Sequence, residues 1–151
     1  MARQKKLFII TRMATSIFVN LPVRNLNKSK EFWQKLGYTF NAQFTDETAA
    51  ALVISDAPPS QSGVYAMLLT HEKFAEFTKK EIVDANKSTE VINALSVDSK
   101  EAVDQLLEKV LAAGGKEGDK NDYGFMYSRA FEDLDGHMWE ILWMDPNHVQ
   151  K

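Results

Sequence analysis

Phe131-Glu132-Asp133-Leu134-Asp135-Gly136-His137-Met138-Trp139-Glu140-Ile141-Leu142-Trp143-Met144 is the stretch on which the reading of this chain turns. Asp133 to Gly136 is a turn signal, because Asp tolerates left-handed backbone and glycine takes positive φ freely. Met138 to Met144 then reads as a strand rich in aromatic and aliphatic side chains. Alternation places Met138, Glu140, Leu142 and Met144 on one face, and Trp139, Ile141 and Trp143 on the other. The second set is the better core face. Glu140 is therefore a carboxylate on a mostly apolar face, where it needs a partner, a water-filled cleft or a raised pKa. It is either an edge residue turned to solvent or the acid of a cleft.

Reading back from this strand, Phe125 to Phe131 and Lys116 to Lys120 are two more strands, with a turn at Asn121-Asp122 between them. Phe125, Tyr127 and Arg129 share one face by period two. Turned inward they offer stacking and an anion clamp; turned outward they belong to a core or an interface. Gly114-Gly115 ends a helix whose stripe is Val103, Leu106, Leu107, Val110 and Leu111. Asp98-Ser99-Lys100-Glu101 reads as its capping box, with an acceptor at the cap and Glu three residues on. Val91 to Val97 is the strand before it. The first half repeats this order. Ser16 to Val23 is a strand, and a helix over 27–36, capped by Asn25 or Asn27, ends at Gly37. Strands over Tyr38–Phe44, Ala49–Ser55 and Val64–Thr70 follow, with a Pro58–Gly63 loop and a turn or two of helix at Phe74 and Phe77. Val23 and Val97 close the two first strands 74 residues apart, and Met67 and Glu140 anchor the two fourth strands 73 apart. So constant an offset is a repeat signal. Each half is strand–helix–strand–strand–strand. Neither buries its sheet face alone, whereas two side by side do.

The predicted fold is therefore α+β: two tandem βαβββ modules form a curved, cleft-enclosing mixed sheet with helices on the outer face. Residues 14–146 make one domain, with module one at 14–77, a polar connector at 78–90 and module two at 91–146. Residues 1–13 read as an N-terminal extension and 147–151 as a tail.

Composition narrows the functions. The chain has 151 residues, 44% hydrophobic and 26% charged, in the ordinary globular range. A net charge of −3 gives no case for non-specific nucleic-acid binding. Without cysteine there is no disulfide, thiolate nucleophile or cysteine metal site. That suits a reducing, cytoplasmic setting. No apolar run is long enough to cross a membrane. The three histidines are His71, His137 and His148. His137, in a turn, is more often a solvated residue than a ligand or acid; His71 stands at the end of a strand, near the cleft mouth or at a helix start. There is no phosphate loop, nucleophile elbow or zinc-protease helix.

The paired modules, Leu21-Pro22-Val23-Arg24-Asn25-Leu26 with Phe32-Trp33 downstream, and the stretch from Phe131 to Glu140 together resemble the vicinal oxygen chelate superfamily. This is the group of glyoxalases, bleomycin-resistance proteins and extradiol dioxygenases. The similarity covers roughly residues 14–146, and the lactoylglutathione-lyase-like branch is the nearest. The resemblance implies one metal ligand on the first and fourth strand of each module, facing the cleft. Glu140 matches the fourth-strand glutamate of module two. The other matching positions are Phe18, Met67 and Ile92, none of which binds a divalent metal. Asn20, two residues from Phe18 and on the same face, is a weak oxygen ligand at most.

The expectation is thus a protein that binds a small organic ligand in the cleft, with Glu140 as the functional acid. Phe18, Asn20, Met67, Ile92, Tyr127 and Arg129 are the expected ligand contacts, with no metal and no other cofactor. One alternative is a divalent-metal-dependent lyase or dioxygenase of the same superfamily. Another is a metal-free enzyme with Glu140 as general base. The resemblance also implies a homodimer.

Overall fold

The computed structural model describes residues 15–56 and 63–149. The expected extension at 1–13, most of the Pro58–Gly63 loop and the last two residues of the tail lie outside the described residues. Module one comprises β1 (Ile17–Val23), α1 (Leu26–Lys35), β2 (Phe40–Asn41), β3 (Ala49–Ser55), β4 (Val64–Thr70) and the short α2 (His71–Ala75). Module two comprises β5 (Ile92–Ser96), α3 (Lys100–Ala112), β6 (Lys116–Asp122), β7 (Met126–Glu132) and β8 (Met138–Met144). Each module is a four-stranded mixed sheet, ordered β1-β4-β3-β2 and β5-β8-β7-β6. β1 runs parallel to β4 and β5 to β8, while the remaining pairs are antiparallel. Both orders put the first strand of a module at an edge beside its fourth, so the expected repeat is a repeat of topology.

Local details differ from the sequence reading: β6 continues through Asn121-Asp122, which pair with Ser128 and Tyr127, so the expected turn falls after them, at 123–125. The second strand is cut to two residues, because the Asn41 side chain accepts from the Gln43 amide and starts a 3-10 turn over Ala42–Phe44. A short polar side chain that bonds its own backbone competes with the sheet ladder. The cap of α3 is Ser99, not Asp98: its hydroxyl accepts from the Ala102 amide at 3.0 Å. In α1, Asn25 is the cap, accepting from the Lys28 amide.

The helices cover one face of each sheet. α1 contributes Leu26, Phe32 and Trp33, and α3 contributes Val103, Leu107 and Val110, to a single core shared by both modules. Leu21 and Val23 of β1, Leu68 of β4, and Trp139 and Ile141 of β8 face into it. Trp33 crosses between modules, meeting Trp139 edge-on at 4.6 Å between centroids and Phe131 at 6.3 Å. Aromatic pairs of this kind are worth about 0.5–1.5 kcal/mol beyond their area.

The turn between β7 and β8 is the polar part of the same seam. Asp135, only 8% exposed, accepts from the Arg24 backbone amide at 2.8 Å and Arg24 Nε at 3.2 Å, and from Ser29 Oγ at 3.3 Å. The His137 ring meets the Pro22 carbonyl through Nε2 at 2.7 Å. Asp133 holds the turn itself. One of its carboxylate oxygens accepts from the Asp135 and His137 amides and the other from the Trp139 indole. Gly136 has φ +86°, and a Cβ there would stand 2.6 Å from Asn86 Oδ1. Glycine is needed both for the backbone angle and for the closeness of residues 84–86.

Asp135→Ala should cost about 2–3 kcal/mol, the range for hydrogen bonds to a buried charged group. Arg24→Ala keeps the backbone amide and loses only a side chain that is largely exposed, so it should cost under about 1 kcal/mol. Urea unfolding of the two variants checks the ratio.

Candidate functional site

Strand alternation on this frame sorts the expected site residues. In β1, Val19, Leu21 and Val23 turn toward the helices, leaving Phe18 and Asn20 on the open face. In β4, Ala66 and Leu68 are core, so Tyr65 and Met67 point the other way. In β5, Leu95 is core and Ile92 and Ala94 are open. In β8, Trp139 and Ile141 are core and Glu140 is open. The four positions expected to line a cleft therefore lie on the helix-free sides of their own sheets, Phe18 and Met67 in module one and Ile92 and Glu140 in module two. Asn20 is the direct cross-strand partner of Met67, and Ala94 that of Glu140.

The surface around Phe18 is aromatic. Its ring stacks on Tyr65 at 5.0 Å with planes 14° apart, and meets Phe44 edge-on at 6.4 Å. Phe18 is 44% exposed and Ile92 56%, so apolar side chains stand open to solvent on the first strand of each module. Glu140 is half-buried, and its carboxylate makes no hydrogen bond or ion pair among the described residues. Ser128 shares this face, one pleat away on β7, and its buried hydroxyl has no partner there either. Tyr65 was legible from its spacing to Met67. Phe44 was not, because the 3-10 turn that aims it depends on Asn41.

Tyr127 and Arg129 do not join this group. The register pairs Ala130, not Arg129, with Glu140, so both residues project to the helix-covered side. There Asp104 of α3 accepts from Tyr127 Oη and from Arg129 Nη1, each at 2.7 Å, and Arg129 Nη2 bonds Glu117. The expected anion clamp is a tie between β7 and α3, its charge already neutralised by two carboxylates. Arg129 is accordingly no partner for Glu140.

A second feature lies at the seam. Residues 78–90, expected as a plain connector, run with Val91 past β1 and β5 and line a half-open cavity of about 310 Å³. Its walls include Leu21, Pro22, Phe74, Ile82, Val91 and Met138, with Asn20, Asn93 and His137 among a polar lining that the connector completes with Lys80, Glu81 and Glu90. Asn93 faces away from Ile92. Its side-chain nitrogen is shut off from solvent and lacks an acceptor among the described residues. An amide left so costs about 1–3 kcal/mol. The apolar pair Ile82-Val83 inside a polar segment was the one sequence signal for this wall. His71 lines a smaller neighbouring cavity of about 230 Å³ with Arg24, Asp84 and Asp135.

Electrostatics separate structural from free carboxylates. Burial pushes the Asp133 carboxyl above its usual range, opposed by His137 and by the Trp139 hydrogen bond. The Tyr127 hydroxyl, and then Arg129, hold Asp104 below that range. No group of three or more His, Asp or Glu side chains with the geometry of a metal site occurs among the described residues.

A model of the Glyoxalase/Bleomycin resistance protein/Dioxygenase superfamily matches residues 15–141. The chain belongs to this superfamily. Among solved structures it is similar to a hypothetical protein from S. aureus, at 29% identity and a TM-score of 0.68, covering 88% of this chain and 96% of that one. It is also similar to a glyoxalase/bleomycin resistance protein/dioxygenase family enzyme from Burkholderia phytofirmans, at 20% identity and a TM-score of 0.66, over 87% and 99% of the two chains. A third is the fosfomycin resistance protein FosX from Listeria monocytogenes, complexed with Mn(II) and sulfate, at 18% identity and a TM-score of 0.61, over 86% and 90%. At these last two identities the likeness is one of fold. No curated protein matches the chain. The divalent-metal set of the superfamily finds one carboxylate here, Glu140, beside Phe18, Met67 and Ile92. Three apolar side chains and one acid do not fit such an ion.

Asp104 ties α3 to β7, and its lowered pKa has a consequence in acid. A carboxyl lowered in the folded state stabilises it above the unfolded value near about 3.9, and that stability is lost as pH falls through the folded value. Asp104→Asn should therefore be less stable than the parent at pH 7, and the gap should close toward pH 2. Thermal unfolding across that range measures it.

Proposed function

We propose that this superfamily member binds a small organic molecule on the open sheet face, with Glu140 as its polar anchor and no divalent metal. The observation that carries the reading is the make-up of the four equivalent positions: Phe18, Met67 and Ile92 are apolar, and the one acid has no partner among the described residues. An apolar wall with one free carboxylate suits a ligand that pairs an aromatic or aliphatic body with a donor or a positive charge. The stacked Phe18–Tyr65 pair suits a flat, cationic ring system, because ring faces attract cations. The same freedom of the carboxylate favours a second reading, in which Glu140 abstracts a proton from a bound carbon acid as a general base.

A thermal-shift screen of aromatic amines, followed by calorimetry on the hits, tests the anchor. Glu140→Gln should weaken amine binding about tenfold, the loss expected for one charge-assisted bond, with the unfolding midpoint of the free protein unchanged. Elemental analysis of the purified protein should find no stoichiometric divalent metal. About one nickel, zinc, iron or manganese per chain, lost in Glu140→Gln, would overturn the proposal in favour of the metal-dependent lyase or dioxygenase.

The exposed Phe18, Ile17 and Ile92 on the two edge strands support a homodimer that covers them. Light scattering at micromolar concentration should give twice the chain mass; a single-chain mass counts against it.

A further inference from the structure

We propose that the cavity beneath residues 78–91 is a second binding site, for a small, mostly apolar molecule carrying a carbonyl or similar neutral acceptor, with Asn93 as the donor that holds it. The cavity shares Asn20 with the open-face residues but none of Phe18, Met67, Ile92 and Glu140, so the two sites adjoin and are distinct. At about 310 Å³ it is within the range of small-ligand pockets.

Three observations converge on the ligand class. The walls are apolar side chains from both modules and from the connector: Leu21, Phe74, Ile82, Val91 and Met138. One lining residue, Asn93, has a buried amide nitrogen with neither a protein partner among the described residues nor access to bulk water. Asn93 lines the cavity, and rotation of its side-chain amide would bring the nitrogen to an acceptor there, where a hydrogen bond removes the penalty of leaving it bare. The third is charge. Lys80 lines the cavity, but Glu81 and Glu90 do as well, so the lining has no net positive charge to favour an anion. A cation would suit the extra carboxylate but offers the Asn93 nitrogen no acceptor, whereas a neutral acceptor on an apolar body answers both the walls and that donor.

The cavity is also held open in advance. Asn86 donates from Nδ2 to the Asp135 carbonyl at 3.3 Å, its own amide is taken by Asp84, and the segment lies close against Gly136. The wall is thus attached to the seam turn, and a ligand need not order it, which lowers the entropic cost of binding.

Acetophenone, which has an aromatic body and one carbonyl, and ethylbenzene, which keeps the body and lacks the acceptor, are suitable probes on the full chain. In ¹⁵N-correlated NMR titrations acetophenone should shift the Asn93 side-chain amide and the backbone amides of Ile82 and Val91. Asn93→Leu should weaken acetophenone binding about tenfold, the loss of one hydrogen bond, and leave the ethylbenzene affinity unchanged. Ala85→Leu, which fills the cavity from the connector side, should weaken both probes. Equal acetophenone affinity in Asn93→Leu and the parent overturns the proposal. So do shifts confined to open-face residues such as Met67 and Glu140, or no shift at millimolar probe. Should Asn93→Leu not fold, a nuclear Overhauser contact between the acetophenone methyl and the Asn93 Nδ2 protons in the parent decides: its presence supports the site and its absence overturns it.

Discussion

The carboxylate of Asp135 occupies the point where the two modules meet, and the rest of the molecule depends on it. It comes from the β7–β8 turn of module two and takes the backbone amide of Arg24, just before α1 of module one. That amide would otherwise be left bare at the seam. The bond seats α1 so that Trp33 reaches Trp139 and Phe131 across the modules. Asp133 holds the turn from behind through two amides and the Trp139 indole. Burial raises the pKa of Asp133 because a dry site disfavours its charge, and the three donors around it offset much of that penalty. The acidic turn, which has the composition of a catalytic loop, is thus a joint.

Once the joint is made, the pleat distributes the chemistry. Each sheet has one face under a helix and one open, and a side chain's parity along its strand decides which it meets. Glu140 and Arg129 are a cross-strand step apart in register yet on opposite sides of the sheet. Arg129 goes to Asp104 and Glu117 and becomes part of the fold. Glu140 stays without a partner among the described residues, on the open face of the second sheet, while Phe18, Tyr65 and Met67 furnish the open face of the first. Of the four positions that the resemblance matches to the superfamily's metal ligands, the chain has apolar side chains at three. The connector, which has no counterpart in either module's repeat, adds a further space at the seam, walled on its other sides by residues of both modules.

The fold was legible because it rests on periodicity. Alternation marked the strands, the Val103–Leu111 stripe marked α3, and the constant offset between halves marked the repeat. Errors came where a single side chain chose its own hydrogen bond: Asn41 ended a strand early, and Ser99 rather than Asp98 capped a helix. The candidate site was legible in part. Phe18, Asn20 and Met67 share the open face of module one, and Ile92 and Glu140 that of module two, by parity alone. Tyr127 and Arg129 share a face as well, but parity does not say which, since an aromatic and an arginine suit a cleft and a helix contact equally.

The sequence by itself determined the two βαβββ modules, the side chains on each strand face and the mismatch between Phe18, Met67 and Ile92 and a metal site. These follow from local spacing, which the backbone imposes wherever the strand lies. The tertiary structure alone decided that Asp133, Asp135 and His137 are occupied in the joint and that Arg129 is neutralised by α3. It alone placed residues 78–91 as the wall of a cavity. Asp133 finds its donors within its own turn and the start of β8, but the other outcomes depend on a partner distant in the chain, as Arg24 is from Asp135, and no local pattern encodes which distant donor or acceptor arrives.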